Sequence, residues 1–359
     1  MLIFRYLAKE VFITLVSLTS ILMLIFMSNQ FVRYLNRAAS GNIPGVIIMK
    51  LMMLELPTLI GLLLPLGFYV ALLIAYGRLY AESEMTVLRA CGYSSGQLLK
   101  HSFIMATVVA VIVALIMIWA SPGIAVERAK LLRSSGVQTL IQTIVPGRFQ
   151  AVSGGKHVFY VESMSRDHTK AKHIFLAGLQ AKNTGLQWDV LWADKAYAET
   201  DPQTSEDYIV LHDGKEYEGV PGQASYQVAE FKQYKARLPH PVIAVNKDIR
   251  TVKTSELWPL NNSDKAKAAE LQWRFSVPIM VLTLTLIAVP LSRVNPRAGK
   301  FAKLLPAIVI YIIYANFMFI GRDAMMDGKI PVWVGMWWLH LSVLALGFFL
   351  VWRNRIKMA

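Results

Sequence analysis

Apolar and polar positions divide the chain into three regimes. Unbroken apolar runs occupy about 11–32, 56–75 and 102–121, and three more follow at about 275–291, 304–320 and 332–351. Between them, 123–262 alternates short apolar and polar stretches. About 20 apolar residues in helical form cross the ~30 Å of a bilayer's hydrocarbon, so these runs predict transmembrane helices, six in all. The first run follows Arg5 and Lys9 but is too long for a secretory leader and is not followed by a small-residue cleavage site, so it is expected to remain as a span. The second contains Pro57, Gly61, Pro65 and Gly67, which suits a kinked or closely packed helix.

The middle region reads as β structure. "KHVFYVES", "HIFLAGLQAK", "LQWDVLWAD", "DYIVLH", "KEYEGV" and "YQVAEFKQY" each have strand length and are separated by turn residues. In "YIVLHDGKEYEG", Asp213-Gly214 suits a two-residue turn at positive φ, which would pair His212 with Lys215 and Val210 with Tyr217. Regular short strands predict a β-sandwich or jelly roll over 123–262, with core packing the expectation for Trp188 and Trp192. The resulting organisation is 1–122 with three spans, the β-jelly-roll domain at 123–262, and 263–359 with three more spans.

Composition agrees with a membrane class, since 55% of the 359 residues are apolar. An even number of spans puts both termini on one side. With the termini in the cytoplasm, the inner tails and short loops hold twelve Lys and Arg (Arg78, Arg89, Arg293 and Arg353 among them) against five outside, Arg33, Arg37, Lys50, Arg322 and Lys329. The positive-inside rule supports that orientation and makes 123–262 extracytoplasmic. Of the net charge of +14, the middle region holds only a small part, with 17 basic and 15 acidic side chains. Arg33 and Arg37 at the mouth of span one, Arg322 after span five, and Lys265, Lys267 and Arg274 before span four form an outer basic group suited to a phosphate-bearing partner. For any one of them, a side chain snorkelling from a helix end is the plain alternative.

Several chemistries lack their signatures. No G-x-x-x-x-G-K-[ST] loop is present, no G-x-S-x-G, and no Cys/His spacing for a metal; Cys91 is a lone thiol. His157, His168, His173, His212 and His240 are scattered and expected at the surface. The spans bury almost no charge, so an ion-coupled transport cycle has little support. If the chain performs work, the energy comes from a partner.

The stretch "LYAESEMTVLRACGYS" then lies in the cytoplasm between spans two and three, as a short coupling helix at about 80–92. Ser83 is the expected N-cap, Glu84 the first helical residue, where a carboxylate complements the helix dipole, and Gly92 the terminator. Glu82 and Glu84 lie in front, Arg89 behind, and Met85 and Leu88 share an apolar face. One reading is a solvated connector. The other is a docking knob in which Glu84 meets an arginine of a soluble ATPase while Met85 and Leu88 fill its groove.

The N-terminal "RYL", the "LYAESEMTVLRACG" helix and "VPLSRVNPRAGK" at 289–300 resemble the LptF/LptG (YjgP/YjgQ) lipopolysaccharide export permease family, nearer its LptF branch, essentially end to end. The resemblance implies a non-catalytic permease subunit of an ABC exporter in the bacterial inner membrane, with no cofactor and no nucleic-acid partner. It implies an LptG-like permease, an LptB-like ATPase dimer and an LptC-like single-span protein as partners, and lipopolysaccharide as cargo passing through β-jelly rolls. It also implies Glu84 as the carboxylate docked in the ATPase, supported by Glu82, Met85, Leu88 and Arg89, and Arg33 as a headgroup contact, to which Arg322 is added by its place after span five and Arg37 from the outer basic group. Gln30 stands where some members have lysine. A membrane-anchored periplasmic enzyme or scaffold, such as an envelope-modifying transferase, is the competing expectation.

Overall fold

The computed structural model describes residues 2–39, 43, 45–134, 146–152, 157–165, 170–182, 185–200, 207–220, 226–237, 248–258, 264–294 and 303–356. The chain divides into two compact units. One comprises residues 1–31, 50–129 and 246–359; the other comprises 32–49 and 130–245.

The apolar runs form helices longer than themselves: α1 (Leu2–Ala39), α2 (Ile48–Ala81), α4 (Ser95–Leu115), α5 (Ser121–Ser134), α6 (Lys265–Leu291), α7 (Leu304–Met326) and α8 (Trp337–Ile356), with the short α3 (Glu84–Ala90) between α2 and α4. A π-helical turn, Ile116–Ala120, joins α4 to α5, so the third span continues as helix past residue 122 to Ser134. Among the described residues five helices are long and apolar enough to cross a membrane: α1, α2, the α4–α5 rod, α6 and α7. Helix α8 has 20 residues, but His340 and the terminal Arg353, Asn354 and Arg355 dilute its apolar character.

Helix α6 is the axis of this unit. Of its most apolar stretch 78% is buried within the chain, against 11% for α1, which buries Leu7, Val11 and Leu15 but turns most of its apolar side chains outward. Two hydroxyls buried on α6 turn back to their own helix: Thr285 Oγ1 donates to Val281 O at 2.7 Å and Thr283 Oγ1 to Met280 O at 3.1 Å. Those bonds satisfy groups that would be costly to leave bare in an apolar interior. The expected close packing of α2 is present. Both Pro57 and Pro65 lie inside the helix, a Cβ on Gly61 would meet Met117 Cε at 2.7 Å, and one on Gly67 would meet Thr19 Oγ1 at 2.6 Å.

The second unit carries one antiparallel sheet whose strands run in chain order: β1 (Gln150–Val152), β2 (His157–Met164), β3 (Lys170–Lys182), β4 (Gly185–Thr200), β5 (Asp207–Gly219) and β6 (Tyr226–Arg237). The expected β structure is therefore an inserted up-and-down sheet, with no crossover connection among the described residues. The hairpin expected at Asp213-Gly214 does not form. "DYIVLH" and "KEYEGV" are two halves of β5, and His212 pairs with Lys195 and Gln233 instead.

Asp213-Gly214 marks a crease. At Glu162, His173, Asp194, Asp213 and Lys232 the ladder pairs lapse on every strand from β2 to β6, and pairing then resumes in unchanged register. His173 and Asp213 take φ of 49° and 50°. Side chains in a strand alternate with period two, yet here the inward positions jump by three: Val161 to Met164, Ala171 to Ile174, and Ala193 to Ala196. Each strand spends one extra residue at the same transverse line, so the whole sheet bends. The bend lets one sheet bury its own face, with Val161, Ile174, Leu191 and Ala193 on one side of the crease and Ala196 and Leu211 on the other. Gly214 is required there, since a Cβ would lie 2.4 Å from Trp192 O. Trp188 and Trp192 point to the opposite face and are 44% and 39% exposed, which overturns their expected core packing. His168 and His240 lie outside the described residues, as does "VPLSRVNPRAGK" beyond Val294.

Candidate functional site

The turn between α2 and α4 is built on the seven residues of α3. Its front differs from the expectation. Ser83 adopts φ 62° and makes no side-chain capping bond; its carbonyl instead accepts from Thr86 and Val87 N–H at 3.0 and 3.1 Å. Its rear is as expected. Gly92 sits at φ 90°, Gly92 N–H donates to Arg89 O at 2.9 Å and Tyr93 N–H to Leu88 O at 3.0 Å, the paired bonds of a Schellman ending. Ser94 then starts α4 with a capping box: its Oγ accepts from Gln97 N–H at 3.2 Å, while its own N–H donates to Gln97 Oε1 at 2.9 Å.

Met85 is wholly buried in the same core as Leu7, Leu79 and Leu98, and Leu88 packs half-buried against it. Met85 is not presented outward, which corrects the expectation that it fills a partner's groove, while Leu88 keeps part of its surface in the open. A helix this short holds its orientation only if its apolar face closes the core beneath it. The outward face is small and uncharged instead: Thr86, Val87, Ala90 and Cys91, with Val87 63% exposed.

Glu84 opens this face. Its Oε2 accepts from Tyr6 Oη at 2.6 Å, and among the described residues Oε1 takes no hydrogen bond. Tyr6 belongs to the "RYL" stretch, so two distant motifs meet at one carboxylate. Arg78 bridges to Glu10 at 2.6 Å and lies 4.0 Å from Glu82, tying the start of α1 to the end of α2. Arg89 points inward: its Nη2 donates to Tyr80 Oη and Ser95 Oγ, each at 3.0 Å, and its guanidinium lies over the Tyr80 ring. Beside it the Tyr93 hydroxyl meets His101 Nδ1 at 2.7 Å. Burial pushes Tyr93 up to about 12, so it stays protonated at neutral pH. Tyr6, Glu10 and Arg78 were missed by sequence reasoning, which read the spans and the loop separately; only the joint recurrence of "RYL" with the acidic helix could have linked them.

The outer basic residues separate into two kinds. Arg33 and Arg37 lie one turn apart on α1 and both are exposed, whereas Gln30 is buried. Arg322 is not an open headgroup contact. Its Nη2 donates to Glu270 Oε2 at 2.5 Å, its guanidinium lies 5.1 Å from the Trp273 ring centre, and its side chain is 11% exposed. Arg274 is deeper still, donating to Glu270 Oε1 at 3.0 Å, Thr254 Oγ1 at 2.7 Å and Arg250 O at 3.1 Å. One buried carboxylate thus holds two guanidiniums, a reason internal to the fold for two of the six outer cations. Lys267 pairs with Asp264 at 2.8 Å, an ion pair that holds the Asp264 carboxyl below its usual range.

A protein-family model described as "Lipopolysaccharide export system permease LptF/LptG" matches residues 5–353. The chain is 31% identical over 351 residues to the lipopolysaccharide export system permease protein LptF of Escherichia coli K12, covering 98% of this chain and 94% of that protein. The same figures hold for the LptF protein of Shigella flexneri.

Proposed function

The chain belongs to the LptF/LptG family of lipopolysaccharide export permeases and is a subunit of that export system, and we propose that it is the LptF-type half of an ABC exporter, driven through α3 by a partner ATPase. In this reading it pairs with an LptG-like permease above an LptB-like ATPase dimer, beside an LptC-like single-span protein. Helix α8 is its sixth span, both termini are cytoplasmic, and the creased sheet stands in the periplasm as part of a β-jelly roll through which lipid leaves. Exposed Arg33 and Arg37 meet headgroup phosphates, and ATP hydrolysis is entirely the partner's.

The single observation that carries the coupling role is the mounting of Glu84. The carboxylate is fixed on one side by Tyr6, and its helix is pinned below by Met85 and behind by Arg89 and Gly92. A rigid charged element transmits a push that a flexible loop would dissipate. In the purified complex, Glu84→Ala is expected to lower ATPase association about 10–100-fold, the loss of one charge-assisted hydrogen bond of ~1.5–3 kcal/mol. Tyr6→Phe, which frees the carboxylate without removing it, is expected to cost about fivefold or less, near ~1 kcal/mol. Unaltered assembly and lipid export in Glu84→Ala would remove α3 from the energy path.

A further inference from the structure

A second feature lies behind α3 and shares Arg89 with the docking turn. A partly open cavity of about 50 Å³ is lined by Arg89, Ser95, Leu99, Arg293, Val351 and Asn354 among others. That is several times the ~10–15 Å³ that one water needs. Among the described residues two guanidiniums line it and no carboxylate does. Arg89 is held by Tyr80 and Ser95, and Asn354 by Pro290 O at 3.1 Å, so the polar groups stand on fixed partners.

We propose that this cavity binds the phosphate of an anionic lipid headgroup from the inner leaflet. Among the described lining residues nothing compensates that charge, which fits a single anion. The remaining wall is apolar, with Leu98, Leu99, Val289 and Val351. It is formed where α4 begins and α6 and α8 end, the depth at which headgroups meet protein. Exposed Trp352 on α8 adds an aromatic suited to that boundary. The first-turn amides of α4 add a weak favourable field, which the carbonyl ends of α6 and α8 oppose, so the two guanidiniums carry the attraction. A lipid seated there would brace α3 from behind, joining the coupling turn to the ends of two spans.

The inner-leaflet placement rests on the orientation proposed above, but lipid capture requires neither ATP nor cargo, so it can fail while export coupling stands, and the reverse. A photo-crosslinking residue at Leu99 in the full complex would be illuminated in phosphatidylcholine vesicles with and without phosphatidylglycerol. Capture of phosphatidylglycerol is expected in preference to phosphatidylcholine. Arg293→Gln is expected to lower it about tenfold, as loss of a charge-assisted bond implies, and the exposed Arg353→Gln to leave it unchanged. Inorganic phosphate at millimolar concentration distinguishes sources: undiminished lipid capture assigns the cavity to headgroups, and displacement assigns it to free phosphate. Equal capture of both lipids, an equal drop in Arg353→Gln, or crosslinking to the partner ATPase instead of lipid would overturn the proposal. The competition needs only the Leu99 probe and no change at Arg293, so the test stands even if Arg293→Gln fails to assemble.

Discussion

Two charged clusters in this chain use similar side chains to opposite effect. In the helical unit, Glu270 is shared by Arg274 and Arg322 with all three largely out of water. In the sheet, His173 bridges Glu162 at 2.8 Å and Asp194 at 3.8 Å along the crease, with every member about half exposed. Burial sets the difference. Charges removed from water must be paired or they are very costly, whereas exposed pairs are screened and contribute ~0–1 kcal/mol. The first cluster therefore locks α6 to α7 and to the segment around Thr254. The second decorates a bend that the backbone and Gly214 already impose.

The largest expected effect comes from breaking the buried cluster. Glu270→Leu strands two guanidiniums and should destabilise the protein by about 3–5 kcal/mol, read as a lower melting temperature of the purified complex and poor yield. Glu270→Leu combined with Arg274→Met and Arg322→Met should recover most of that loss, because apolar replacement of a whole buried ion cluster is neutral to stabilising by ~1–4 kcal/mol. The unpaired, buried Arg322 Nε favours that outcome. Retained instability in the triple variant would mean the charges, and not their packing, are what the site requires. His173→Ala should be the mildest, under ~1 kcal/mol and smaller still in high salt. A loss as large as that of Glu270→Leu would show that the crease depends on its ion pairs and would erase the contrast.

How much was legible in the sequence follows the range of the interactions. Apolar runs foretold the helices because a span satisfies its backbone within itself. The Gly92 ending and the strand segments were also local and readable. Asp213-Gly214 misled for a physical reason: positive φ serves a tight turn and a crease equally, and only four neighbouring strands bending at the same line decide between them. Met85 misled similarly, since an apolar face on a short helix does not say whether it closes the chain's own core or a partner's. Arg322 looked like an outer cation because its partner lies 52 residues away.

The sequence by itself determined a membrane body with an inserted β region, an acidic turn bounded by glycine, and no nucleotide loop, because hydropathy, backbone conformation and motif spacing are properties of short segments. Only the tertiary structure decided that Tyr6 holds Glu84, that Arg322 is spent on Glu270, and that one sheet folds over itself to bury its inner face. Pairing and burial are relations between distant residues, and their sign depends on which groups leave water together.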